Sequence, residues 1–195
     1  LIEIYSQNLG GTTFAVALRQ KEVAAVSFGS IQQTTLSHLL ENLPFNESFQ
    51  VFHEPSPHAQ TLLTGLRDLY SGKEVKVKFC LATSKLPRYT QKVLKATLAV
   101  PVGYVTTYGA IASAVGGGAR AVGNAMACNR FPIVVPCHRV VKSDLSLGGY
   151  GAGGLRVKME FLMREQRGYS EPKETAVGGG CLRVFPVEWV LKKYA

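Results

Sequence analysis

The apolar residues of this chain change period near residue 85, and that change limits what each part can fold into. Before it, strands and helices are mixed. In Thr12 to Arg19, Phe14, Val16 and Leu18 alternate with smaller or polar residues, and Lys21 to Phe28 returns as a second strand. Leu36, Leu39, Leu40 and Leu43 recur at helical spacing and stop at Pro44, since proline cannot continue a helix. Gln50 to His53 reads as a short strand. Ser56 as N-cap and Pro57 at the first helical position open a second helix, with Leu62, Leu63, Leu66 and Tyr70 inward and Gly72 as its terminator. Val75 to Phe79 closes this half as a strand. The expectation for residues 1–84 is a small α/β domain.

After a linker near Leu81 to Pro87, helical spacing dominates, and residues 85–169 read as a second, mostly α domain. Tyr89 to Ala99 carries Val93, Leu94 and Leu98 and ends before Pro101. Thr106 and Thr107 cap a short helix, Tyr108 to Val115; Gly116, Gly117 and Gly118 make a turn; Ala119 to Cys128 forms the next helix. Helix, glycine turn, helix is the helix-turn-helix pattern. Its second helix holds Ala119, Ala121, Gly123, Ala125 and Ala127, small residues that suit either a close approach to a duplex or tight packing on another helix. Residues 170–195 form an extension with Gly178, Gly179, Gly180, Cys181 and an apolar stretch from Val184 to Val190, expected to pack back on the N-terminal half.

Net charge is +9, and its distribution is uneven. Residues 1–85 hold seven Lys/Arg and seven Asp/Glu, whereas residues 86–195 hold fifteen and six, so the excess lies in the second part. No acid occurs between Glu74 and Asp144, an interval with ten Lys/Arg, and a basic surface without carboxylates is what neutralising phosphates requires. The hydrophobic share of 46% and charged share of 18% fit a folded globular chain. No stretch reaches the roughly 20 apolar residues of a membrane helix, and no secretion signal is seen, so a cytoplasmic protein is expected, nuclear if eukaryotic. Cys80, Cys128, Cys137 and Cys181 occur singly and read as reduced thiols, with a structural disulfide left open. His38, His53 and His58 with Cys80 make no compact ligand pattern, so neither metal nor cofactor is expected.

The most unusual stretch is Ile133 to Val141, an apolar, strand-like run interrupted by Cys137, His138 and Arg139. A thiol is a good nucleophile only as thiolate, and a neighbouring His or Arg favours that form. Pro136-Cys137-His138-Arg139-Val140-Val141 resembles the signature of the O6-alkylguanine-DNA alkyltransferases, also called methylated-DNA-protein-cysteine methyltransferases. Tyr108, the run Arg120 to Met126, and Asn129 precede it in the family's order; Gly148-Gly149-Tyr150, Gly153-Gly154-Leu155 and Glu165 follow. The resemblance covers about Tyr89 to Arg167.

It implies a ribonuclease-H-like N-terminal sheet with helices, a winged helix-turn-helix in the second domain, and a monomer acting on double-stranded DNA that contains O6-alkylguanine. Cys137 would take the alkyl group irreversibly, His138 would serve as base through a water, Glu165 would orient His138, and Tyr108 would bond guanine N3 and help rotate the nucleotide out. Arg120 would fill the vacated place in the stack or, alternatively, contact phosphate. Ala119, Ala121, Gly123, Asn124 and Ala127 would face the minor groove, Asn129 would fasten the turn before the active-site strand, and Val140, Tyr150 and Gly151 would frame the base. Gly151 stands where some relatives carry Ser, and the turn before Arg120 is shorter than in some. A noncatalytic helix-turn-helix binder of alkylated DNA is the alternative, and Cys137 speaks against it. A Cys-His hydrolase is disfavoured because adjacent Cys137 and His138 would point to opposite sides of a strand.

Overall fold

The computed structural model describes every residue except Phe45 and Gly179, so the middle of the Gly178–Gly180 run lies outside the described residues. The chain divides into two compact units, Leu1–Tyr70 with Glu74–Lys85 and Arg130–Val134, and Ser71–Lys73 with Leu86–Asn129 and Val135–Ala195.

The first unit is built on strands β1 (Ile2–Leu9), β2 (Thr12–Arg19), β3 (Glu22–Gly29) and β4 (Phe49–Phe52), in the order β3-β2-β1-β4. The first three are antiparallel neighbours, and β4 runs parallel to β1. Helices α1 (Gln32–Glu41) and α2 (Pro57–Tyr70) cover the sheet. β2 is buried without interruption from Thr13 to Leu18 because both of its faces are used. Ala15 and Ala17 pack with Leu39 of α1, while Phe14, of opposite parity, meets Tyr70 of α2 edge-on. The Ser56 cap is present, its hydroxyl accepting from Ala59 N at 3.2 Å.

Two expectations fail here. Strand β1 was not anticipated, although it is an inner strand of the sheet. The segment from Val75 to Phe79 is not a strand; only a single bridge, Leu81 with Val23, joins that part of the chain to the sheet.

The second unit holds helices α3 (Arg88–Leu98), α4 (Tyr108–Val115), α5 (Ala119–Ala127), α6 (Gly154–Arg164) and α7 (Val187–Leu191). It also has its own sheet: β5 (Tyr104–Thr107), β6 (Val140–Val141), β7 (Lys173–Val177) and β8 (Gly180–Pro186), in the order β6-β5-β8-β7. The sheet separates two apolar clusters, because alternate residues of its strands face opposite ways. Tyr104 and Val140 join Val93, Ile111, Val122, Leu182 and Val184 on one side; Val105 and Val141 join Leu147, Leu162, Val187 and Val190 on the other. The fold is thus an α/β sheet domain plus a mostly helical domain. Among the described residues no helix is long and apolar enough to cross a membrane.

The C-terminal extension does not pack as expected. β8 pairs antiparallel with β5 through Tyr104–Pro186 and Val105–Phe185, inside the second unit, because Leu182 and Val184 complete the cluster under α3, α4 and α5. The strand-like run ending in Val141 is likewise interrupted: Cys137–Arg139 is a single 3-10 turn, and only Val140 and Val141 pair, parallel to β5.

Leu182 is fully buried. Leu182→Ala is expected to destabilise the second unit by about 2–5 kcal/mol, read as a lower urea midpoint for that unit.

Candidate active site

β5 and β6 bring the site together. Their parallel pairing, Thr106 with Val140 and Thr107 with Val141, sets the turn before β6 beside the helix that follows β5. That helix is α4, opened by Thr107, whose hydroxyl accepts from Ala110 N at 3.1 Å, and Tyr108 is its first residue. The turn before β6 carries Cys137, His138 and Arg139.

Cys137 is partly buried, and Asn129 Nδ2 donates to its Sγ at 3.3 Å and to Val135 O at the same distance. One amide thus bonds both the backbone before the turn and the sulfur. His138 and Glu165 are both buried and joined Nε2 to Oε1 at 2.8 Å. With a carboxylate on Nε2, the proton of a neutral ring sits there and Nδ1 carries the lone pair. Nδ1 is buried and has no protein partner in the described residues. Phe161 of α6 stacks on the imidazole, with centroids 4.7 Å apart, and fixes the ring plane.

Arg139 does not serve the thiol, as its place in the sequence suggested. Its Nε and Nη2 bind both oxygens of Glu165 at 2.9 Å, and its Nη1 donates to Val100 O at 2.7 Å, just past α3. Glu165 is the residue that ends α6, and it is buried rather than solvated. Burial alone would raise its pKa, but His138 and Arg139 together outweigh that and hold it at about 2. Burial pushes the His138 imidazole below its ordinary value, against the pull of Glu165, so the ring is neutral at pH 7. Burial also pushes the Cys137 thiol up, opposed by the Asn129 hydrogen bond and by Lys158. Tyr108 is raised by burial and by the charge of Cys137.

Lys158 escaped the sequence reading. It lies on α6, fully buried, and its ammonium donates to Val140 O at 2.6 Å, Leu147 O at 2.5 Å and Gly149 O at 3.1 Å. Its spacing of three and four from Phe161 and Leu162 was a usable signal, because such positions share one helix face. Leu155, on the same helix, is 53% exposed. The segment Gly148–Gly151 stands beside this group: a Cβ at Gly148 would lie 3.1 Å from the Tyr108 ring, and Tyr150 meets Phe161 edge-on. Gly151 has open space around it.

The DNA-binding-domain model of the 6-O-methylguanine DNA methyltransferases matches residues 88–167. The methylated-DNA–protein-cysteine methyltransferase of Pyrobaculum aerophilum is 54% identical over 68 residues, 35% of this chain and 45% of that protein. The constitutive enzyme of that name from Bacillus subtilis is 33% identical over 121 residues, covering 61% of this chain and 73% of its own length. The chain belongs to the methylated-DNA–protein-cysteine methyltransferase family. The crystal structure of the O6-methylguanine-DNA methyltransferase of Pyrococcus kodakaraensis strain KOD1 superposes with a TM-score of 0.64 at 26% identity, covering 85% of this chain and 99% of that one. The sequence match to the Pyrobaculum relative spans less than half of that protein's length.

In this family member, α4 and α5 are joined by Gly116, Gly117 and Gly118, and two of these have left-handed φ of 89° and 88°. A Cβ at Gly117 would come 2.7 Å from Tyr89 Oη, so this turn admits glycine alone there. α5 buries Val122 and Ala125 and leaves Ala119, Arg120, Asn124 and Ala127 exposed, with Ala121 and Gly123 half-buried. A Cβ at Gly123 would meet nothing within 4 Å, so packing inside the protein does not explain its small size. Among the described residues, no three His, Cys, Asp or Glu side chains come together as a metal site, and all four cysteines are free.

Glu165 has a folded pKa below its ordinary 4.5, so its stabilising contribution is complete above about pH 4.5 and is lost as the pH falls towards 2. Glu165→Gln, which strands the buried Arg139 charge, is expected to lose about 3–5 kcal/mol at pH 7. Urea unfolding at a series of pH values should show that loss shrinking across the same window.

Proposed function

We propose that this chain repairs duplex DNA by taking the alkyl group from O6-alkylguanine onto Cys137, once per molecule. The observation that carries the reading is the His138–Glu165 pair beside Cys137, with a buried Nδ1 that has no protein partner. One water between Nδ1 and the thiol satisfies both and makes a path for the thiol proton. The thiolate sulfur then forms a bond to the alkyl carbon as the bond from that carbon to O6 breaks, and the electron pair stays on guanine. The thiol proton passes through that water to His138, and guanine leaves as an anion whose charge Tyr108 relieves by donating a hydrogen bond at N3. The proton that His138 later releases to solvent balances the one guanine takes up. A thioether is left on Cys137, and water does not cleave it, so the protein is spent.

The roles of the other residues follow from where they stand. Arg120 is exposed on α5 with Ala119, Asn124 and Ala127, and a planar, permanent cation there suits insertion into the place of a rotated nucleotide. A face of small residues suits a close, sequence-independent approach along the minor groove, as repair of any sequence requires. The basic excess of residues 86–195 supplies a salt-dependent affinity for phosphate. Val140, Tyr150 and Gly151 border the base, and a serine at Gly151 fits the open space around it.

Incubation with a duplex carrying O6-methylguanine, followed by mass spectrometry of the peptide containing Cys137, should show one added methylene and no turnover; tight binding with an unmodified thiol would contradict transfer. Cys137→Ala is expected to abolish transfer while keeping duplex affinity. His138→Ala should slow transfer by about 100-fold or more. Gly123→Ala, whose Cβ would meet nothing within 4 Å, is expected to weaken duplex binding in a gel-shift assay and to leave the thermal midpoint nearly unchanged.

A further inference from the structure

Resting on that reading of Cys137, we propose that Lys158 is a positioning residue whose ammonium staples the base-facing segment to β6 and provides the counter-charge for the Cys137 thiolate. Three observations carry this. Lys158 is fully buried, and its three N–H donors meet three carbonyls, those of Val140, Leu147 and Gly149. A neutral amine has two donors and cannot satisfy all three, so the site is shaped for the charged form. The carbonyls come from β6, which follows the nucleophile by three residues, and from the segment leading to Tyr150 and Gly151. One cation therefore ties the strand behind the thiol to the segment that borders the substrate base.

The charge count around the thiol gives the second half of the role. Among the described residues, the titratable and charged groups at the site include Tyr108 from α4, His138 and Arg139 from the 3-10 turn, Tyr150 from the base-facing segment, and Lys158 and Glu165 from α6. Arg139 and Glu165 neutralise each other through two hydrogen bonds. His138 and Tyr108 are neutral at pH 7, the first lowered by burial and the second raised by it. Among the described residues no carboxylate pairs with Lys158, and its ordinary pKa is lowered to about 8 by burial against the opposing pull of Cys137. The resting pocket with a protonated thiol thus holds one uncompensated buried positive charge. Ionising the thiol sets a negative charge against that cation, so the buried lysine favours the reactive form.

The test compares wild type with Lys158→Met, which keeps the length and removes the charge. Modification of Cys137 by iodoacetamide, read on its own peptide from pH 6 to 11, requires no DNA. The midpoint of that profile should rise by about one pH unit or more in the variant. Methyl transfer from an O6-methylguanine duplex should fall by about tenfold or more at pH 7, recovering part of the loss at pH 9, with duplex affinity unchanged. An unmoved iodoacetamide profile, or transfer slowed equally at every pH, would overturn the counter-charge. Wild-type protein that accepts no methyl group would instead refute the repair reading, while the iodoacetamide arm still decides the role of Lys158. If Lys158→Met does not fold, NMR of the lysine 13Cε signals in wild type decides it. The Lys158 titration should move to lower pH once Cys137 is carbamidomethylated, and an unchanged midpoint would overturn the proposal.

Discussion

The carboxylate of Glu165 is the centre on which the candidate site depends. It is buried, it ends α6, and it accepts hydrogen bonds from His138 and from two nitrogens of Arg139. Arg139 in turn reaches Val100, just past α3. One ionised oxygen pair thereby joins the end of one helix, the turn that carries the nucleophile and the chain beyond another helix. A buried carboxylate without partners would be costly; with these partners its charge is fixed, and with it the side of the imidazole that bears the proton.

The two buried cations near Cys137 divide the work that the sequence assigned to one. Arg139 follows His138 in the sequence, a place that suggests a role at the thiolate, but its guanidinium fork matches a carboxylate and is taken up by Glu165. Lys158 is 21 positions beyond Cys137, and its compact ammonium suits a cage of three carbonyls. The difference in head-group shape accounts for which cation goes where.

Much of this was legible in the chain itself. Caps at Ser56 and Thr107, the breaks at Pro44 and Gly72, and the triple-glycine turn are local signals, and the elements beside them fall within a residue or two of expectation. The reactive segment was recognised from its neighbours. What escaped was non-local. β1 shows its alternation, but its place within the sheet depends on partners up to 50 residues away. Val75 to Phe79 has the composition of a strand and lacks a ladder to join. The run into Cys137 looks extended, yet it turns at Cys137–Arg139 and crosses a left-handed φ of 73° at Ile133, which no residue preference announces. The extension at the C-terminus finds its partner in β5, about 80 residues earlier, and nothing local points there.

The outward face of α5 has a consequence for how this chain can change. Val122 and Ala125 hold the helix in place, while a Cβ added at Gly123 would meet nothing within 4 Å. Packing around the Cβ therefore sets no limit on side-chain size at that position. Any such limit comes from the molecule that docks there, so substitutions along this face form a record of the ligand, and selection for altered recognition can act on it without disturbing the pocket around Cys137.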